Sequence, residues 1–201
     1  YNVQSNALYD LISTKNFDGL ILFSGALFSF SPANEAQTFI EQYHALPLVS
    51  IAMPFEGIPS LLVDNFSGMY EIVSHLIEKH NYQQIAFIQR YEGNPEMRER
   101  YRGYKAALEA HGLPFDPLLV VPTEYETPDQ ALALLLDERK VAIEAIVTGE
   151  DHFSLQLLEQ IQARGIQVPD EIAIVGFDDI EDCRYSTPPM TTVRQPLREQ
   201  G

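Results

Sequence analysis

The sequence carries two adjacent carboxylates, Asp178 and Asp179, at a place where a ligand could bind. They follow Gly176 and a short apolar run, Ile172 to Val175, which predicts a buried strand ending at Val175. In an open α/β sheet, ligands bind just beyond the carboxyl ends of the strands. An aspartate there can accept hydrogen bonds from a hydroxyl-rich molecule. Neighbours on an extended chain point in opposite directions, which argues against a catalytic pair.

Patterns that would indicate catalysis or a metal site are absent from the sequence. It contains no glycine-rich phosphate loop and no nucleophile elbow, and its five histidines lack the spacing of metal ligands. The single cysteine, Cys183, excludes an internal disulfide and a cysteine-rich metal site. We therefore expect a protein that is not an enzyme and uses no cofactor and no metal.

The charge balance limits the partners that the chain can bind directly. The 29 acidic and 13 basic residues give a formal net charge of −16. Binding to a nucleic-acid backbone requires clustered lysines and arginines, and no such cluster occurs. The longest apolar run, near Leu20 to Phe30, is shorter than the roughly 20 residues of a membrane helix and is broken by polar residues. We expect a cytoplasmic protein without membrane contact.

Apolar runs typical of buried strands alternate with helical patterns along the chain. This alternation predicts an α/β fold with parallel sheets flanked by helices. The predicted helices cover 32–43, 66–80 and 95–111, a segment from Thr127, and a segment from Asp151, as N-cap, to Gly165. The predicted strands are 19–23, 46–53, 60–64, 84–88, 118–121, 142–147, 172–175 and 191–193.

The predicted elements form two series, which indicates two lobes. The first lobe is expected over residues 1–80, with 197–201 returning to it, and the second over 81–196. The change from one series to the next falls near His80 to Tyr82.

Four segments, taken in order, resemble one protein family. They are Asp18-Gly19-Leu20-Ile21, Val63-Asp64-Asn65 with Gly68, Arg98-x-Arg100-x-x-Gly103-Tyr104, and the run from Val168-Pro-Asp to Gln195. Together they resemble the sensor core of the LacI/GalR family of bacterial transcription regulators. That core has the two-lobed fold of periplasmic sugar-binding proteins. By this resemblance the chain lacks the family's helix-turn-helix headpiece, and its first lobe is incomplete.

The resemblance implies a function. A small effector, such as a sugar, a nucleoside or a related metabolite, would bind between the lobes. Lobe closure would then be read out by DNA-binding headpieces of a homodimer, so that DNA is contacted only through a headpiece. Two alternatives remain open: a homologous sensor of a histidine kinase or cyclase signalling protein, or a free periplasmic sugar-binding protein.

The resemblance also implies ligand-binding residues. Arg100 would donate to ligand oxygens and Asp178 would accept, the two facing each other across the cleft. Glu150 stands where many family members have asparagine, which leaves the ligand's identity open. The other candidates are an aromatic residue lining the cleft and groups at first-lobe strand ends: Tyr125, Phe23, Ser24 and Ser67. Structural roles are the competing interpretation for these, and Phe23 in particular could belong to the core.

Overall fold

The computed structural model describes residues 7–28, 33–91, 93–122, 125 and 127–200. The chain forms two compact units. The first comprises Tyr1–Val63, Gly93–Glu96 and Gln200, and the second comprises Asp64–Glu92, Met97–Glu199 and Gly201. The expected first-lobe boundary at residue 80 differs from this division, because the helix Asn65–His80 packs within the second unit. The predicted start at Pro32 and the terminal Gly201 lie outside the described residues.

The first unit contains a three-stranded parallel sheet in the order β1-β2-β3. Its strands are β1 (Leu20–Phe23), β2 (Leu48–Ile51) and β3 (Ser60–Leu61), accompanied by a 3-10 helix (Ala7–Leu11), α1 (Ser24–Phe28) and α2 (Ala33–Gln42). One face of the sheet packs on a small aromatic core around Phe28 and Phe39, whose rings meet edge to face at 5.5 Å.

The second unit contains a five-stranded parallel sheet in the order β5-β4-β6-β7-β8. The strands are β4 (Ile85–Ile88), β5 (Val120–Val121), β6 (Ala145–Thr148), β7 (Ala173–Asp178) and β8 (Thr191–Arg194). The helices are α3 (Asn65–His80), α4 (Pro95–Ala110), α5 (Pro128–Leu132), α6 (Asp151–Ala163), α7 (Asp182–Tyr185) and α8 (Leu197–Gln200). A 3-10 helix (Pro117–Leu119) precedes β5, and α5 continues as a π-helix (Ala133–Glu138).

Helices cover both faces of this sheet, as continuous apolar strands require. All four residues of β4 are buried. Phe87 stacks on Tyr104 of α4 at 5.0 Å, whereas Ala86 and Ile88 pack into the cluster that contains Phe153 and Leu157 of α6. Successive residues of a strand point to opposite faces, so α4 covers one face and α6 the other. The expected fold class, parallel sheets flanked by helices, is confirmed.

Several strands are shorter than predicted, among them β2 and β3, and two predictions close to the polar residues after β7 are wrong. Strand β7 continues to Asp178 instead of ending at Val175, because Gly176, Phe177 and Asp178 pair with Thr192, Val193 and Arg194 of β8. Asp151 is the first residue of α6 and not its N-cap; Glu150 occupies the cap position without a side-chain capping bond.

Local sequence places α3 and α4 against each other. Asp64 caps α3, with its Oδ1 accepting from the backbone N–H of Ser67 at 3.0 Å. On α4, an added Cβ at Gly103 would lie only 2.5 Å from the carbonyl oxygen of Phe66, so only glycine permits this approach. Arg100 precedes Gly103 by three residues and shares its face of the helix. The close contact therefore holds Arg100 against the start of α3.

Among the described residues, the structure contains no helix long and apolar enough to cross a membrane.

Candidate functional site

Arg100 is the centre of a buried polar cluster in the second unit. Only 2% of its surface is exposed. Its Nε donates to Oδ1 of Asn65 at 2.7 Å, and its Nη1 donates to the carbonyl oxygen of Gly149. The guanidinium carbon lies 3.8 Å from the centre of the Phe177 ring. A buried guanidinium is stable only when its donors are satisfied, and these contacts engage Nε and Nη1.

Asp178 is the carboxylate partner of Arg100. It ends β7, and its Oδ1 lies 3.5 Å from Nη1 of Arg100. The same oxygen accepts from Nε2 of Gln195 at 2.5 Å. The backbone of Asp178 has φ +129°, a value that L residues rarely adopt. The strand end is therefore held in an unusual conformation that aims this carboxylate.

Burial is the main cause that raises the pKa of Asp178, to about 6. The positive charge of Arg100 and the bond from Gln195 oppose this rise, and the negative charges of Asp151 and Glu150 add to it. The carboxyl group is consequently ionised at neutral pH but protonates in mild acid.

The resemblance led us to expect Arg100 and Asp178 to face each other across a cleft, although the expected second lobe, 81–196, contains both. The structure instead brings them into direct contact. Both belong to the second unit. The reason is topological: α4 follows β4 in the second sheet, and β7 belongs to that same sheet.

Glu150 forms a second ion pair beside the first. Its Oε1 lies 2.9 Å from Nε of Arg90, which follows β4 by two residues. The Arg90 guanidinium also lies over the rings of Tyr91 and Phe153, at 4.5 and 4.4 Å, and donates to the Tyr91 hydroxyl. These contacts hold Arg90 in one position.

Asp151 fastens the loop that follows β7. It is fully buried, and its two oxygens accept from the Thr192 hydroxyl at 2.6 Å and from the Ile180 N–H at 3.1 Å. Gly176 is required beside it, since a Cβ there would lie 2.1 Å from the carboxylate. Asp151 thus ties α6 to β8 and to the loop after Asp178.

The second unit carries one pocket beside the polar cluster and one at the other end of β7. Asp178 and Gln195 line an open pocket of about 600 Å³. A narrower cavity of about 200 Å³ lies by the first residues of β7, next to His75, His80 and Tyr82, and is remote from the polar cluster. Among the described residues, no group of histidine, cysteine and acidic side chains could hold a metal ion. Cys183 is buried, and burial raises the pKa of its thiol to about 12, which leaves it unreactive.

Comparison with known proteins decides the family. The periplasmic binding protein-like domain matches residues 73–201. The chain belongs to this family. Over its whole length the chain is also 30% identical to the HTH-type transcriptional repressor CytR of Escherichia coli strain K12. It covers 58% of that protein. It is 27% identical to the HTH-type transcriptional regulator DegA of Bacillus subtilis strain 168, covering 96% of this chain and 57% of that protein.

Solved structures agree with this assignment. A LacI-family sugar-binding transcriptional regulator from Escherichia coli, complexed with phosphate, superposes with a TM-score of 0.79 at 25% identity, covering 98% of this chain and 69% of that one. The transcriptional regulator CelR–cellobiose complex gives 0.77 at 28% identity, covering 92% and 56%. The resemblance to LacI-type sensor cores is confirmed. The chain spans a little over half the length of these curated relatives, which are described as repressors and regulators and not as enzymes.

The remaining candidates occupy different places in this periplasmic binding protein-like domain. Tyr125 is half-buried and packs against the core of the second unit. Ser67 lies in the capped first turn of α3. In the first unit, Phe23 is 64% exposed at the end of β1. Ser24 is fully buried and its Oγ accepts from Ser50 at 2.8 Å, which indicates a structural role.

Sequence reasoning missed four residues of the cluster. Asn65 lies in a segment that carries the resemblance but was given no ligand-binding role, and Asp151 was assigned to a helix cap. Gln195 lies within the most recognisable run of the resemblance, which was a usable signal. Arg90 gave only the weak signal of a basic residue just past a strand, and its pairing with Glu150 depends on the order of β4 and β6 in the sheet.

Proposed function

We propose that this domain is the small-molecule effector-binding sensor of a LacI/GalR-type transcription regulator and that it is not an enzyme. The observation that carries the proposal is the Arg100–Asp178 pair at the carboxyl edge of the parallel sheet. This is the edge at which open α/β sheets bind ligands. The relatives whose names describe transcriptional repressors support the regulatory role.

The proposed binding groups have distinct tasks. Arg100 holds the site in a fixed position, since its side chain is buried and its Nε and Nη1 donate to protein acceptors. Asp178 and Glu150 accept from the ligand, because their side chains remain 27% and 24% exposed. Tyr125, Phe23 and Ser67 stay as proposed secondary contacts. We leave Ser24 out of the site, because its hydroxyl is buried and already bonded.

In this proposal, ligand binding is transmitted to the rest of the protein by closure of the lobes. An effector that binds the closed state more tightly shifts the population toward it. A homodimer would pass that change to helix-turn-helix headpieces in the cytoplasm, and only those headpieces would contact DNA. Membership of a kinase or cyclase, or a free periplasmic role, is less favoured because the curated relatives are helix-turn-helix regulators.

A thermal-shift screen of sugars and nucleosides tests the proposal. A ligand that binds only the native state, at a hundredfold excess over its Kd, raises the free energy of unfolding by about 2.7 kcal/mol. A ligand found this way should lose its effect in Asp178→Asn and in Arg100→Ala. The matched control for Asp178→Asn is Asp170→Asn, a change at an exposed residue. The matched control for Arg100→Ala is Arg102→Ala, at an exposed arginine of the same helix, α4. Equal responses in the site variants and the controls would reject the site.

A further inference from the structure

The two ion pairs of the site differ in which member reaches the surface. The arginines are the less exposed members, with 2% for the Arg100 side chain and 13% for Arg90. Their carboxylate partners are exposed by 27% and 24%. A ligand that approaches the cluster therefore meets acceptors before it meets cations.

Each carboxylate also keeps one oxygen for a ligand. Both contacts of Asp178, from Arg100 and from Gln195, fall on Oδ1. The contact of Glu150 with Arg90 falls on Oε1. Within the part of the chain that the structure describes, no donor reaches Oδ2 of Asp178 or Oε2 of Glu150. A carboxylate oxygen accepts readily from hydroxyl and N–H groups.

The cluster contains more carboxylates than guanidiniums, which disfavours an anionic ligand. Each guanidinium already contacts a carboxylate, Arg90 that of Glu150 and Arg100 that of Asp178, and the buried Asp151 adds a third carboxylate. Glu150 already acts on Asp178 by repulsion, as the raised pKa of Asp178 reflects. A phosphate or carboxylate group placed here would add to that repulsion in a partly buried environment, and both cations are committed elsewhere.

We infer that the effector of this site is an uncharged molecule rich in hydrogen-bond donors, and that the Arg90–Glu150 pair is the element that rejects phosphorylated and carboxylated analogues. This inference rests on the proposed effector-binding function. It assigns a specificity role to Arg90, which holds Glu150 in place and whose own charge Glu150 neutralises. Rejection through an unfavourable charge is a common means of discrimination between similar ligands.

Matched pairs of probes test the inference by isothermal titration calorimetry. The pairs are glucose with glucose 6-phosphate, ribose with ribose 5-phosphate, adenosine with adenosine 5′-monophosphate, and glucose with glucuronate. For the pair that binds, the uncharged member should bind tighter than its anionic partner by about tenfold or more, which corresponds to about 1.4 kcal/mol. An anionic member that binds as tightly as its partner, or tighter, would overturn the inference and leave the sensor function standing. Binding by no probe at all would reject both.

Variants then locate the source of the discrimination. Glu150→Gln removes one negative charge and leaves the Arg90 guanidinium beside a neutral amide, so the preference for the uncharged member should shrink by about tenfold. Glu159→Gln, an exposed change within α6, the helix that Glu150 precedes as N-cap, alters the net charge equally and should keep the preference. Equal behaviour of the two variants would assign the discrimination to overall charge and not to the pair. Should Glu150→Gln fail to fold, Arg90→Gln provides the opposite test: it leaves Glu150 unpaired and should strengthen the preference.

Discussion

Replacement of Arg100 by methionine tests the cluster most directly. Methionine keeps much of the apolar stem and can still contact the Phe177 ring, but it removes the donors to Asn65 and Gly149 and the charge beside Asp178. Hydrogen bonds to charged groups contribute about 1.5–3 kcal/mol each. Breaking a buried ion pair from one side costs about 3–5 kcal/mol, because the remaining partner is left uncompensated. We therefore expect the free energy of unfolding to fall by about 3–5 kcal/mol at pH 7.

The assay is urea unfolding followed by far-ultraviolet circular dichroism, with Arg102→Met as the control. Arg102 is an exposed residue of the same helix, paired with Glu99 at 2.7 Å, and its loss should cost about 1 kcal/mol or less. Arg100→Met combined with Asp178→Asn should cost less than the sum of the two single changes, since the pair is coupled. The reasoning is refuted if Arg100→Met costs no more than Arg102→Met, or if the double change is additive.

Further predictions concern the same unit. Since the folded-state pKa of Asp178 is raised from 3.8 to about 6, its stabilising contribution is complete below pH 4 and is lost as pH rises through 6. The loss is about 3 kcal/mol, and Asp178→Asn should flatten this part of the urea-unfolding stability profile between pH 4 and 7. Gly103→Ala should lower the free energy of unfolding by about 1–3 kcal/mol despite alanine's better helix propensity, because the added Cβ would clash with the Phe66 carbonyl oxygen. The control in the same urea titration is Gly93→Ala, which should be near neutral because a Cβ there meets nothing within 4 Å. Asp151→Asn should cost about 1–3 kcal/mol, as an amide cannot accept on both sides, and should lower the pKa of Asp178 in a carboxyl-carbon NMR titration.

Local pattern was sufficient to predict most of the architecture. Strand β4 is an uninterrupted apolar run and was predicted within one residue, because a strand buried on both faces has no polar alternation. Helix α4 was predicted to one residue past its end at Ala110, and Gly112 follows it in a left-handed conformation. Such features depend on residues close together in sequence.

The end of β7 and the contacts of several site residues could not be predicted from sequence, because they depend on pairing between distant segments. The extension of β7 to Asp178 depends on pairing with β8, whose residues lie about sixteen positions later in the chain than the β7 residues they pair with. The roles of Arg90 and Asp151 depend on which strands are neighbours, a property that no local window contains. The resemblance indicated Arg100 and Asp178 as candidates, and the expected second lobe, 81–196, already contained both, but their direct contact at 3.5 Å depends on the order of the strands.

The burial of Arg100 also explains why the site can be selective. A guanidinium with 2% exposure cannot adapt to each ligand, because moving it would break its bonds to Asn65 and Gly149. Its charge therefore acts as a fixed field that keeps Asp178 ionised at neutral pH against the burial that raises its pKa. The ligand then meets a preorganised acceptor whose Oδ1 is already bonded and whose Oδ2 has no donor among the described residues. Preorganisation lowers the entropic cost of binding, so a modest number of hydroxyl contacts can give useful affinity.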